Sequence, residues 1–158
     1  VTRTEVVLGK LLPYVGIGLF DVVVCAALGL WLFDVPLRGS VLLLMVLSTT
    51  YIIGSLGLGI FISAAARSQL LATQLAMLLT FLPAFLLSGF MYAIDVMPKS
   101  LQAVTFLVPA KYFLVVTRGI FLKDVGVDVL RVQGLLMILF AVVGLALAIW
   151  VFRKELKA

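Results

Sequence analysis

Residues 39–66 read GSVLLLMVLSTTYIIGSLGLGIFISAAA, closed by Arg38 at one end and Arg67 at the other. No charge interrupts the stretch. A helix needs about 20 mostly apolar residues to cross ~30 Å of hydrocarbon, and this run exceeds that. It is too long for a buried strand and shows no alternation of period two. A membrane span is the reading that decides the fold class. The same test, worked outward, finds three more spans. The four are 11–33, broken only by Asp21, then 41–65, 69–90 and 132–152. The predicted class is an all-α integral membrane protein with four transmembrane helices.

Composition agrees. The chain has 158 residues, 65% hydrophobic and 12% charged, with a mean hydropathy of +1.32. Soluble domains average roughly 45–50% apolar and about 25% charged residues. The net charge of +5 raises nucleic-acid binding as an option, but the Lys and Arg residues form no basic run. They lie between apolar segments and at the ends, where lipid headgroups and topology signalling account for them. Membrane lipids are the expected contact and nucleic acid is not. The single cysteine, Cys25, forms no internal disulfide and reads as a small buried hydrophobe. There is no secretory signal pattern. The chain opens on Val1, which suggests a fragment of a larger protein.

The connections are unequal. Asp34-Val-Pro-Leu-Arg-Gly39 is a short polar turn, and Ala66-Arg67-Ser68-Gln69 is a tight reversal. The segment 91–131 is long and mixed. Pro98 and Pro109 divide it into two short helices, expected over Pro98–Leu107 and Ala110–Leu122, because proline suits a first helical turn. Neither is long enough to span, so the pair is predicted to be interfacial or re-entrant, with its backbone covered by protein or water. At the N-terminus, Thr2 and Glu5 have capping-box spacing. A separate short helix over 1–9 is expected, bending at Gly9-Lys10 into the first span.

Four spans place both termini on one side. Arg3, Lys10, Arg67, Arg153, Lys154 and Lys157 then share that side, and Arg38, Lys99, Lys111, Arg118, Lys123 and Arg131 face the other. The tally is even. The Arg153–Lys157 cluster directly after the last span reads as a cytoplasmic stop, which favours both termini inside.

Asp21 is the one acid at depth. A carboxylate there costs at least ~2.5–3.5 kcal/mol unless it is paired, wet or protonated. It reads as a proton or cation site or a polar point in a substrate path, or else as a protonated acid bonded to a neighbouring helix. No Lys or Arg is expected at matching depth. Ser55, Gly59 and Ser63 have small-xxx-small spacing, which suits helix–helix or subunit packing. The hydroxyls of Ser48-Thr-Thr50 can bond carbonyls four residues back. Pro83 should kink the third span and is a possible hinge. Trp31, Phe33, Tyr92, Tyr112, Phe113 and Trp150 fit an interfacial aromatic belt.

Enzyme chemistry finds no support. The chain has no histidine, no Cys or His metal spacing, no close acid pair at depth and no GxxxxGK[ST] phosphate loop. No cofactor is expected. If ATP drives this protein, another chain hydrolyses it.

Four stretches, in order, resemble the membrane subunit of type-2 ATP-binding-cassette (ABC-2) exporters. They are Thr2-Arg-Thr-Glu-Val-Val-Leu-Gly-Lys10; Gly57-Leu-Gly-Ile-Phe-Ile-Ser-Ala-Ala-Ala-Arg67; Leu86-Leu-Ser-Gly-Phe90 with Met97-Pro98 and Leu101-Gln102; and Pro109-Ala-Lys-Tyr112 with Arg118-Gly-Ile-Phe121. The resemblance implies that these spans are the last four of six, in a bacterial plasma membrane, with both termini cytoplasmic. It implies an exporter of hydrophobic or amphipathic substrates (drug-like, lipid or polysaccharide). The permease would pair with a second copy or a paralogue and with ATPase subunits that bind the ATP. Thr2, Arg3 and Glu5 would belong to a coupling-type helix at the ATPase interface, and 91–131 would be extracytoplasmic. Asp21 departs from the family, where an uncharged residue is expected. Two other readings fit the residues: a non-transporting membrane scaffold, and a proton-coupled secondary transporter resting on Asp21. The latter class often shows symmetric halves, and no internal symmetry is visible.

Overall fold

The computed structural model describes residues 2–123 and 125–155, apart from the side chains of Arg3, Arg153, Lys154 and Glu155. It is all helical in its regular structure. In chain order it has α1 (Arg3–Leu32), α2 (Val41–Ala65) and α3 (Gln69–Ala76), followed by a π-helical turn (Met77–Phe81) and α4 (Leu82–Leu87). A short 3-10 turn (Ile94–Val96) precedes α5 (Lys99–Thr105), α6 (Pro109–Leu122) and α7 (Val127–Glu155). Four segments are long and apolar enough to cross a membrane: α1, α2, the α3–π–α4 run and α7.

The first span corrects one expectation. No separate helix ends at Gly9; α1 runs unbroken for 30 residues. Its start is capped as its sequence requires, with the Glu5 carboxylate accepting from the Thr2 N–H at 2.7 Å. A helical glycine costs about 1 kcal/mol relative to alanine, but packing overrides that here. Val7 and Leu11, on either side of Gly9, are both buried against Ala148, with Leu56, Ile60 and Leu145 around them. Both sides of the expected bend are thus pinned to one surface. From Lys10 to Trp31 the helix rises about 32 Å, close to the hydrocarbon thickness. Pro13 sits inside this helix, and the carbonyl it leaves without an intrahelical donor is that of Gly9.

The centre of the bundle is the α2–α7 contact, where two backbones touch. A Cβ on Gly57 would lie 2.5 Å from the Gly144 carbonyl, and one on Gly144 would lie 2.5 Å from the Gly54 oxygen. Gly54 itself faces the Phe140 ring. Only glycine permits this approach, which replaces the hydrophobic drive that lipid cannot supply between spans. The closest packing therefore falls on Gly54 and Gly57. The Ser55-Gly59-Ser63 face points elsewhere, and among the described residues nothing comes within 4 Å of a Cβ on Gly59.

The α5–α6 pair is bent by 79°, and its position matches a re-entrant element. The Phe113 ring stacks on Tyr51 at 4.6 Å. Val116 and Ile120 are fully buried in the cluster that holds Leu44 and Leu47. At its C-terminal end, Ile120 O accepts from the Gly39 N–H at 2.8 Å, and Phe121 O accepts from the Arg38 N–H at 3.4 Å. A Cβ on Gly39 would fall 2.8 Å from that Ile120 oxygen, so the α1–α2 turn needs glycine there. Helix α6 thus climbs antiparallel to α2 from Tyr51 to the turn before Val41. That climb is about 15 Å, half the hydrocarbon. Lys111, expected outside the spans, lies beside the elbow near mid-depth.

Helix α7 also begins earlier than expected. It starts at Val127, so the connecting segment stops short of Arg131. Asp128 lies in the first turn, where it complements the helix dipole, and pairs with Arg131 one turn on. Its 29 residues rise about 43 Å, which leaves this ion pair at or beyond the edge of the hydrocarbon. The third span ends at Leu87, ahead of the expected residue 90, in a turn where Gly89 has φ +87°.

Two substitutions check this account. Gly57→Ala should lower thermal stability in detergent by about 1–3 kcal/mol, the usual cost of overpacking. Gly9→Ala should be neutral or stabilising by up to about 1 kcal/mol, because the helix is continuous there. Stabilisation by Gly57→Ala, or clear destabilisation by Gly9→Ala, would contradict the packing described.

Candidate functional site

Helices α1 and α6 flank a groove of about 640 Å³ that opens at the surface of the bundle. One wall is a helical stripe of mostly small residues on α1: Asp21, Cys25, Ala26 and Gly29. The facing wall on α6 carries Phe113, Thr117 and Phe121 at four-residue intervals, with Arg118 and Leu122 beside them. The side chains of Val35 and Leu44 close it between the helices. Small residues on one wall and large aromatic ones on the other leave the space unfilled.

Asp21 stands about 16 Å from the end of α1 at Leu32, so it is near the middle of the hydrocarbon. Its side chain is exposed on the bundle. Among the described residues it makes neither a hydrogen bond nor an ion pair. The sequence offered no cation at its depth. The structure brings Arg118 to the same groove, toward the end of α6 that meets the α1–α2 turn, because α6 re-enters the bundle and does not lie outside it. Arg118 is also exposed and unpaired among the described residues. Two opposite charges therefore share one apolar groove without touching.

The other candidates lie apart from it. Glu5 is engaged in the α1 cap, and the side chain of Arg3 is outside the described residues. Lys10 sits over the Phe152 ring at 5.3 Å, so the beginning of α1 and the end of α7 share one end of the bundle. Ser55, Gly59 and Ser63 line a second cavity of about 490 Å³ with Lys10, Tyr14 and Phe152. The hydroxyls of Thr49 and Thr50 bond back to Met45 O and Val46 O at 2.7 and 2.9 Å, as their positions predict.

Pro83 is accommodated by an unexpected device. Its ring cannot donate to Leu79 O and would collide with it in a regular helix. The chain widens into a π-helical turn just ahead, where the Leu82 N–H reaches back to Met77 O. Such turns bend helices and gather at sites of function. Pro83 and Thr80 line a third cavity of about 750 Å³ that the Val108–Ala110 elbow also borders. The elbow keeps its polar groups satisfied. The Leu107 N–H donates to Val104 O at 3.0 Å, the Tyr112 hydroxyl to Phe106 O at 2.6 Å, and the Thr105 hydroxyl to Gln102 O at 2.6 Å. The Lys111 ammonium donates to Thr105 Oγ1 at 3.2 Å and lies 3.8 Å from the Phe106 ring centroid. Sequence reading missed both the π turn and the Asp21–Arg118 groove. Pro83 was the only available signal for the first. The second depends on three-dimensional re-entry.

Comparison with known proteins places this geometry. Residues 1–122 match the family described as ABC-2 type transporter. Over 155 residues the chain is 38% identical to the protein named Probable multidrug ABC transporter permease YbhS from Escherichia coli (strain K12), covering 98% of this chain and 41% of that protein. It is 30% identical over 128 residues to Probable multidrug ABC transporter permease YbhR of the same strain, covering 81% of this chain and 34% of that protein. It is also 27% identical over 126 residues to ABC transporter G family member 20 from Dictyostelium discoideum, covering 80% of this chain and 17% of that protein. The chain thus spans less than half the length of these relatives. No solved structure matches it.

The π turn gives a direct check on Pro83 as a hinge. Pro83→Ala restores a donor to the ladder and should stiffen residues 77–83. Amide exchange there should slow about tenfold, one 1.4 kcal/mol step in local opening. Exchange that stays the same or quickens would remove the hinge role.

Proposed function

Because the chain belongs to the ABC-2 type transporter family, we propose that it forms part of the membrane permease of an ATP-driven exporter. A separate subunit binds and hydrolyses the ATP. The substrate is hydrophobic or amphipathic and moves outward across a bacterial plasma membrane. The observation that carries this reading is the family match across residues 1–122. That stretch takes in three spans and the whole re-entrant pair. The permease pairs with a second copy or a paralogue, and both ends of this chain face the cytoplasm.

In this reading the turns of α1 before Lys10 stand beyond the hydrocarbon as a docking surface for the ATPase, with Thr2, Arg3 and Glu5 on it. The absence of a bend at Gly9 gives the surface a mechanical consequence. A push on residues 2–9 passes along a continuous helix into the span, and through Val7 and Leu11 onto α7. Ser55, Gly59 and Ser63, which line a cavity and not the α2–α7 contact, present a face for packing against a further span or subunit. The π turn and Pro83 supply a flexible point in the third span, where two arrangements can alternate. Asp21 is the polar point of the substrate path.

Purification of the full native-locus protein in mild detergent, through a C-terminal tag, tests the reading. A stoichiometric partner carrying GxxxxGK[ST] should accompany it. Glu5→Arg should weaken that association about tenfold, the loss of one contact of ~1.4 kcal/mol. Recovery of no ATPase, under conditions that keep a known exporter assembled, would refute the permease reading and favour a scaffold.

A further inference from the structure

We propose that the groove between α1 and α6 is a binding site for a lipophilic organic cation, with Asp21 as its counter-ion. The inference goes beyond the permease reading and does not depend on ATP or on transport.

Asp21 is a carboxylate near the middle of a span, and no described residue pairs with it. Intramembrane acids of this kind are costly and mark functional positions. The groove it lines is about 640 Å³, within the range of roughly 300–1,000 Å³ typical of small-molecule sites. Its wall is apolar, so it accepts a greasy body and not a hydrated ion. Phe113 and Phe121 line the opposite wall, and aromatic faces attract cations as well as apolar groups. Cys25 and Gly29 keep the Asp21 side open, and a Cβ on Gly29 would meet nothing within 4 Å. The groove opens at the bundle surface, so the ligand enters from the bilayer.

Arg118 makes the proposal specific. It lines the same groove and is, among the described residues of that lining, the cation that competes for Asp21. A bound organic cation displaces that attraction. An anionic amphiphile would use the same groove in the opposite sense, with Arg118 as the binding charge. The two ligand classes therefore predict opposite effects for the two side chains.

The test uses the full-length protein in lipid nanodiscs without ATP, with labelled tetraphenylphosphonium and its isostere tetraphenylborate as probes in equilibrium dialysis. The phosphonium should bind saturably. Asp21→Asn should weaken it about tenfold, Asp21→Glu should retain it, and Arg118→Gln should tighten it. The borate should not bind saturably. In the unmutated protein, the phosphonium should also slow alkylation of Cys25, which is exposed in the groove, read by peptide mass spectrometry. Phosphonium binding indifferent to Asp21→Asn overturns the proposal. So does saturable borate binding that is lost with Arg118→Gln, or a Cys25 that never reacts or is never protected. Failure to recover an ATPase in the purification above would refute the permease reading and leave this result standing, since binding is read without ATP.

Discussion

The backbone contact of α2 with α7 carries the rest of the structure. In hydrocarbon, neighbouring apolar side chains gain nothing over lipid by meeting, so close van der Waals approach must hold the helices together. Gly54 and Gly57 on one helix and Gly144 on the other allow that approach. Everything else leans on the resulting pair. The start of α1 packs Val7 and Leu11 onto it at one end. Helix α6 packs Val116 and Ile120 onto it at the other.

The α3–π–α4 span is the exception. None of its helical pieces has a buried residue, so this chain alone does little to hold it. The π turn thus falls in the span that is least buried within this chain. The elbow of the re-entrant pair borders the same cavity. Its backbone survives at depth because nearby hydroxyls and turns satisfy its polar groups, which is the condition hydrocarbon imposes on irregular structure.

Much of this was legible in the sequence. The four spans follow from apolar length, uncharged in three and broken only by Asp21 in the first, and the two short helices follow from Pro98 and Pro109. Helix α2 begins and ends where its flanking polar residues predict. What was not legible depended on contacts between distant segments. The bend at Gly9 is absent because Val7 and Leu11 meet Ala148, more than 130 residues on. The small-xxx-small pattern at Ser55, Gly59 and Ser63 was a real pattern on a different face. Gly54 and Gly57 were visible as glycines, but Gly144 identifies which face is shared. Arg118 and Lys111 looked extramembrane because neither of the two short helices is long enough to span alone; re-entry returns them to the bundle.

Re-entry requires α5 and α6 to enter and leave on one side. A bend of 79° between two helices that together are long enough to cross makes this the topology to measure. Single cysteines at Lys99, Lys123 and Arg67, in the otherwise cysteine-free full-length protein, can be labelled in intact cells with a membrane-impermeant maleimide. Labelling of Lys99 and Lys123 from outside, with Arg67 protected until the cells are opened, is the expected result. Labelling of Lys99 and Lys123 from opposite sides would make the pair a fifth span and contradict the re-entrant geometry.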